Sequence, residues 1–194
     1  MTTIYLIRHA EAEGNLFRRA QGHWNGKITP LGKKQIDALA QRFEGVNIDA
    51  VYSSDLDRAM ETAGALLRGR DLKLRTTREL REIHMGVWEG DSWGNLSYKW
   101  PEQMYNFNNN PGLWYVPGCE SFDECARRMV RAIENIAREN DGQTVGIVAH
   151  GMCIKIFLMY IMGMPFSEAG TMHHGDNTSV SLLHYDAGKF EVEY

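Results

Sequence analysis

The stretch Ile4-Tyr5-Leu6-Ile7-Arg8-His9-Ala10 decides the fold. A near-continuous apolar run, Ile4 to Ile7, stops abruptly on an arginine and a histidine. A strand buried on both faces reads as such a run, because neither face meets water. Strands of this kind belong to open α/β sheets, which bind ligands just beyond the carboxyl ends of their strands. Arg8 and His9 are therefore predicted to stand where a ligand binds. An arginine supplies a fixed clamp for an anion, and an unprotonated imidazole supplies a nucleophilic nitrogen, a pairing suited to attack on a phosphoryl group.

Two more segments share this construction. Thr144 to Gly151, TVGIVAHG, is a second apolar strand ending in His150, with Gly151 opening a helix whose amides and dipole face an anion. Ala50 to Ala63, AVYSSDLDRAMETA, is a short strand running into a helix. Ser54 and Asp57 form a capping-box pattern there, which puts Arg58 in the first helical turn, near the strand end. A fourth segment, Leu80 to Gly90, LREIHMGVWEG, reads as a loop with the carboxylate of Glu82 among apolar and glycine neighbours. Three strands thus offer Arg8, His9, Arg58 and His150 to a common site.

In this order the four segments resemble the histidine phosphatase superfamily, the phosphoglycerate mutase-like fold, from position 4 to roughly position 183. RHAEAEGN matches the family's R-H-G followed by an asparagine, with Ala10 where glycine is commonest, and yields Arg8, His9 and Asn15. SSDLDRAMETA places the second phosphate-binding arginine at Arg58, LREIHMGVWEG assigns the proton donor to Glu82, and VAHG makes His150 the second pocket histidine. The resemblance implies a three-layer α/β/α sandwich on a mostly parallel mixed sheet. It also implies a metal-independent histidine acid-type phosphatase, with no cofactor and a small phosphorylated metabolite as its partner. In that reading His9 carries the phosphoryl group, Arg8, Asn15, Arg58 and His150 surround it, and Glu82 moves the proton. A 2,3-bisphosphoglycerate-dependent phosphoglycerate mutase is the alternative within the family. A catalytically silent phospho-ligand binder is the alternative outside it, and retention of both His9 and Glu82 argues against that.

Composition sets bounds on these readings. With 194 residues the chain is long enough for a sizeable core, and residues 1–194 read as a single domain. A net charge of −4 leaves no basic stripe for nucleic acid, so an anion must be captured locally. The longest apolar run, Ile156 to Met162, is too short to span a bilayer, and no membrane partner is expected. Met1 to Ile7 leads straight into a strand without a signal-peptide pattern. Cys119, Cys125 and Cys153 are odd in number and lack metal-like spacing, which points to a reduced, cytoplasmic protein. His173 and His174 are adjacent, so their side chains diverge and no metal site is expected there.

Strand and helix patterns alternate along the rest of the chain. Thr29 and Pro30 begin a helix with Leu31, Ile36, Leu39, Ala40 and Phe43 on one stripe, ended by Gly45. Leu72 to Thr77 alternates like a strand. Ser121 and Glu124 cap a long amphipathic helix that stops near Asp141 and Gly142. The helix after His150 is apolar nearly all round, as a buried helix is. Thr178 to Tyr185 and Lys189 to Tyr194 read as an antiparallel hairpin around Asp186, Ala187 and Gly188.

The stretch from about 88 to 118 holds four of the five tryptophans, with Tyr98, Tyr105, Phe107 and Tyr115. It is either a cap whose aromatic wall favours an apolar or ring-bearing leaving group, or a satellite core under a long loop. Its one basic residue is Lys99. A mutase must hold a second anionic group, and Arg18 and Arg19 are the residues that offer charge for it. His23 and His84 read either as pocket-lining or as structural, and Asn177 as part of the pocket wall.

Overall fold

A computed structural model of the chain describes residues 1–173 and 175–194; His174 lies outside the described residues. The elements run β1 (Thr2–Arg8), α1 (Glu13–Leu16), α2 (Pro30–Arg42), β2 (Ala50–Ser54), α3 (Asp57–Leu67) and β3 (Leu74–Thr77). They continue through α4 (Trp93–Lys99), α5 (Pro101–Asn109), α6 (Phe122–Glu139), β4 (Thr144–Ala149), α7 (Gly151–Ile161), β5 (Val180–Asp186) and β6 (Lys189–Val192). The strands form one mixed sheet in the order β3-β2-β4-β1-β5-β6. β1 to β4 pair in parallel, whereas β5 and β6 are antiparallel to their neighbours.

Alternation along each strand builds the two cores of a three-layer α/β/α sandwich. Ile4 and Leu6 of β1, with Val145 and Ile147 of β4, face Met129 and Ile133 of α6 and Phe157 of α7. Ile7, Val51 and Val148 face the other way, onto Leu39 of α2 and Ala63 and Leu66 of α3. Both faces of the central strands are covered, which is why β1 and β4 read as unbroken apolar runs.

Helix ends follow local chemistry in two cases and not in a third. Thr29 Oγ1 accepts from the Gly32 amide at 3.0 Å with Pro30 in the first turn, and Ser121 and Glu124 form a reciprocal capping box. The capping box expected from Ser54 and Asp57 does not form. Leu56 is the cap of α3 and has no side-chain bond to give, while Ser54 Oγ accepts from the Leu56 amide at 3.3 Å. The strand continues through Ser54, so its hydroxyl closes the turn before the helix instead of capping it. Arg58 still falls in the first helical turn.

Other expected boundaries shift slightly. Leu31, expected on the buried stripe of α2, is 50 % exposed, because the stripe seals against the core only from Ile36 onward. The terminal hairpin begins at Val180 rather than Thr178, since Thr178 sits at a φ of 61° and cannot extend a strand. Ala187 and Gly188, both at positive φ, make the turn between β5 and β6. Among the described residues no helix is long and apolar enough to cross a membrane.

Candidate active site

Because β1, β2 and β4 are parallel, their carboxyl ends lie at one edge of the sheet and bring Arg8, His9, Arg58 and His150 together. Arg8, His9, Asn15, Arg58 and Glu82 line a cavity of about 920 Å³, a size suited to a small organic ligand. His150 stands behind it, fully buried, with its ring centroid 5.1 Å from that of His9.

The protonation state of His9 is set by its own neighbour. Its Nδ1 lies 2.7 Å from the carbonyl oxygen of Ala10, an acceptor that requires the proton on Nδ1. Nε2 then keeps its lone pair, and Arg58 Nε donates to it over 3.3 Å. Burial, and after it the positive charge of Arg58, push the His9 pKa well below the ordinary histidine range. The imidazole is therefore neutral at pH 7. Asn177 Nδ2 donates to the His9 carbonyl at 2.9 Å, so Asn177 fixes the backbone behind the ring.

Arg58 has no exposed surface. Its terminal nitrogens donate to the carbonyls of Trp24 and Gly22, each at 2.8 Å, which aims the guanidinium and leaves one hydrogen on each for a ligand. Burial lowers its pKa to about 10, so it stays charged at neutral pH. Arg8 donates to the Gly175 carbonyl. A Cβ at position 151 would stand 3.1 Å from Arg8 Nε, which is why glycine follows His150. Asn15 Oδ1 accepts from the Ala12 amide at 3.0 Å, so its Nδ2 is the end left to donate into the cavity. Among the described residues His150 finds no hydrogen-bond partner for either ring nitrogen, and burial, then Arg58, lowers its pKa well below the usual value.

Glu82 belongs to a loop, yet the loop is held in place. Its Oε1 accepts from the amides of Ile83 at 3.0 Å and Cys153 at 2.7 Å, and its Oε2 from Met152 at 3.1 Å. The carboxylate thus supplies from outside the cap that His150 does not give to α7. Its carbonyl lies 2.9 Å from His23 Nε2, and Arg128, forked onto Glu120, donates to the carbonyls of Glu79 and Arg81 at 2.7 and 3.0 Å. Glu89 accepts from the amides of His23 and Met85, tying the same loop to the segment that carries Gly22 and Trp24. His23 and His84 stack edge to face at 4.6 Å and neither lines the cavity.

The aromatic stretch divides between the two roles expected of it. Trp88, Phe107, Trp114 and Phe122 are buried in contact with one another and join the α6–α7 core. Trp93, stacked on Phe107, and Met104 are only partly buried against that core and, with Phe107 itself, also line the cavity. Trp114→Ala should therefore cost about 3–5 kcal/mol of stability and weaken all substrates alike. Trp93→Ala should change the ratio of kcat/KM between bulky and small phosphomonoesters and lower the melting temperature less than Trp114→Ala does, since Trp93 is only partly buried. Thermal denaturation and a two-substrate assay of both variants separate these outcomes, and identical behaviour would show that the stretch acts as one unit.

Charge around the cavity is also settled by packing. Arg18 and Arg19 line it, with Arg19 donating to the Gly90 carbonyl at 2.6 Å, whereas Lys99 lies outside, 3.5 Å from Asp91. His173 lines the cavity, while the expectation for His174 lies outside the described residues. Sequence reasoning passed over Gln21, Asn108, Asn109 and Lys155, all of which line it. Lys155 alone carried a signal, as the one charged residue in the apolar helix α7.

The model of the histidine phosphatase superfamily (branch 1) matches residues 4–194. The chain belongs to this superfamily. It is 34 % identical over 188 residues to the probable phosphoglycerate mutase GpmB of Photorhabdus laumondii, covering 95 % of this chain and 86 % of the relative. The structure of YhfR from Bacillus stearothermophilus superposes with a TM-score of 0.95 at 32 % identity, covering 100 % of this chain and 96 % of that one. A phosphoserine phosphatase from Entamoeba histolytica, solved as a mutant with phosphoserine, superposes with a TM-score of 0.86 at 25 % identity, over 100 % and 96 % of the two chains. Phosphatases and phosphoglycerate mutase-like proteins are thus the superfamily members this chain is similar to.

Proposed function

We propose that this superfamily member is a phosphatase that hydrolyses small phosphomonoesters through a phosphohistidine at His9. The observation that carries the reading is the His9 tautomer, with Nδ1 bound to the Ala10 carbonyl and a lone pair on the Nε2 that meets Arg58. A neutral nitrogen approaches a phosphate dianion without the repulsion an anionic nucleophile meets. Nε2 attacks phosphorus, the bond to the ester oxygen breaks, and its electron pair leaves on that oxygen, which takes a proton from Glu82. Glu82 Oε2, engaged by a single amide, is the oxygen from which that proton moves. Water then attacks the phosphorus of phospho-His9, gives its proton to Glu82, and releases orthophosphate and neutral His9. Arg8, Asn15, Arg58 and His150 stabilise the charge on the non-bridging oxygens throughout.

A mutase is the second reading, favoured by the GpmB relative and by Arg18 and Arg19 at the cavity. A coupled assay with 3-phosphoglycerate, with and without 2,3-bisphosphoglycerate, separates it from hydrolysis. We place the protein in a reducing compartment such as the cytoplasm, since Cys119, Cys125 and Cys153 are free thiols.

The guanidiniums make the chemistry independent of metal. Turnover of p-nitrophenyl phosphate should survive EDTA unchanged, and vanadate, which adopts a five-coordinate geometry, should inhibit. Loss of most activity on chelation, restored by magnesium or zinc, would overturn this electrostatic scheme.

A further inference from the structure

The peptide that fixes the His9 proton is itself held from its other side. The Ala10 carbonyl, which takes the Nδ1 proton, and the Glu11 N–H belong to one conjugated amide plane, so what the N–H meets is felt at the oxygen. That N–H donates to Gln35 Oε1 at 2.7 Å. A backbone N–H can only donate, so the oxygen of the Gln35 amide must be the atom that faces it. Gln35 stands on α2, half-buried and away from the cavity lining. Gly32 comes one turn earlier on the same face, and a Cβ there would stand 2.2 Å from the Glu11 carbonyl oxygen, so only glycine lets α2 approach this closely. The Thr29 amide donates to that same carbonyl at 3.0 Å, and the Ala10 amide donates to Thr62 Oγ1 of α3 at 2.9 Å. Other groups therefore anchor the backbone on both sides of the shared amide, and Gln35 adds its bond where position is already set.

We propose that Gln35 is a positioning residue for the nucleophile: by accepting from Glu11 it makes the Ala10 carbonyl a stronger acceptor for His9 Nδ1–H, which enriches Nε2 and steadies the cationic ring of phospho-His9. Hydrogen bonds in a buried chain polarise one another, by roughly 10–30 % per bond. As Nε2 bonds to phosphorus the ring gains positive charge, Nδ1–H becomes a charge-assisted donor, and the demand on Ala10 and then on Gln35 rises. The proton stays on Nδ1 throughout. Burial first, then Arg58 and Arg8, disfavour charge on this ring, and the Ala10 carbonyl opposes them, so its strength as an acceptor bears directly on the step. The kinetic consequence rests on the phosphatase reading, whereas the hydrogen-bond chain is present in the free protein and is measured there.

The test pairs the nitrogen NMR shift of His9 Nδ1 in the free protein, assigned by its loss in His9→Ala, with hydrolysis of p-nitrophenyl phosphate. Gln35→Met, similar in volume but without an acceptor opposite Glu11, should move the Nδ1 shift upfield and lower kcat about two- to tenfold with KM nearly unchanged. Gln35→Glu keeps an oxygen opposite Glu11, so it should hold the Nδ1 shift downfield and retain most of kcat. A role confined to packing would lower the melting temperature without moving the His9 nitrogen. An Nδ1 shift that Gln35→Met leaves in place, a loss carried mainly by KM, or equal losses in the two variants overturns the assignment. If wild type does not hydrolyse p-nitrophenyl phosphate, the phosphatase reading fails, and the chain from His9 to Gln35 stands or falls on the Nδ1 shift alone.

Discussion

His9→Ala is expected to abolish both turnover and transfer of labelled phosphate from substrate to protein, with kcat reduced by about a thousandfold or more. The substitution removes the one nitrogen in the cavity whose proton is fixed on the far side of the ring. It leaves Arg8, Arg58 and Asn15 in place, so orthophosphate should still bind, and a fold held by two cores should survive. The wild-type pH profile tests the same assignment. Burial and Arg58 favour the neutral form of His9, so the attacking nitrogen stays unprotonated below the usual histidine range. The acid limb of kcat/KM should accordingly fall below pH 6.5, and a limb centred above that value would contradict it. Phosphoenzyme that persists in His9→Ala would move the nucleophile to His150, the neighbouring imidazole.

Glu82→Gln should split substrates by leaving group. An alkyl alkoxide is too basic to depart without a proton, so hydrolysis of alkyl phosphates should drop by about 10²–10⁴-fold. An aryl oxide leaves with little help, and phosphorylation of His9 by p-nitrophenyl phosphate should be comparatively spared. Water attack on phospho-His9 still lacks its base, so the variant should accumulate acid-labile phosphoprotein that wild type does not. The structure adds a second effect. The Oε2 position accepts from the Met152 amide, and an NH₂ group in its place would face that donor with another. Stability should fall by about 1–2 kcal/mol, visible as a lower melting temperature. Equal impairment of aryl and alkyl substrates without trapped phosphoenzyme would shift the acid role elsewhere, and Glu89 is the next carboxylate to test.

The sheet was legible because burial on both faces imprints itself directly on a strand. Val145 to Ala149 and Ile4 to Ile7 carry the apolar residues for both cores, so their reading required no knowledge of what packs on them. The six residues of the candidate site were legible for a different reason, since four motifs in one order carry more information than any of them alone. Helix starts were readable where the cap is a neighbour in sequence, as at Thr29 and Ser121. They were not at α3, where a strand running to Ser54 displaced the expected cap.

What only the tertiary structure decided depends on contacts between residues far apart in the chain. Glu82 reads locally as a free loop carboxylate, yet it caps α7 some seventy residues later and is braced through Arg128 of α6. Trp93 and Trp114 are the same residue type in one aromatic stretch, but Trp93 reaches the cavity from the start of α4 while Trp114, beyond α5, is buried in the core. Lys155 reads as a break in an apolar helix until the fold turns that face toward Arg8 and the cavity. Local pattern records whether a residue is buried; which residues share a site is written by long-range packing, and that becomes visible only when the chain is folded.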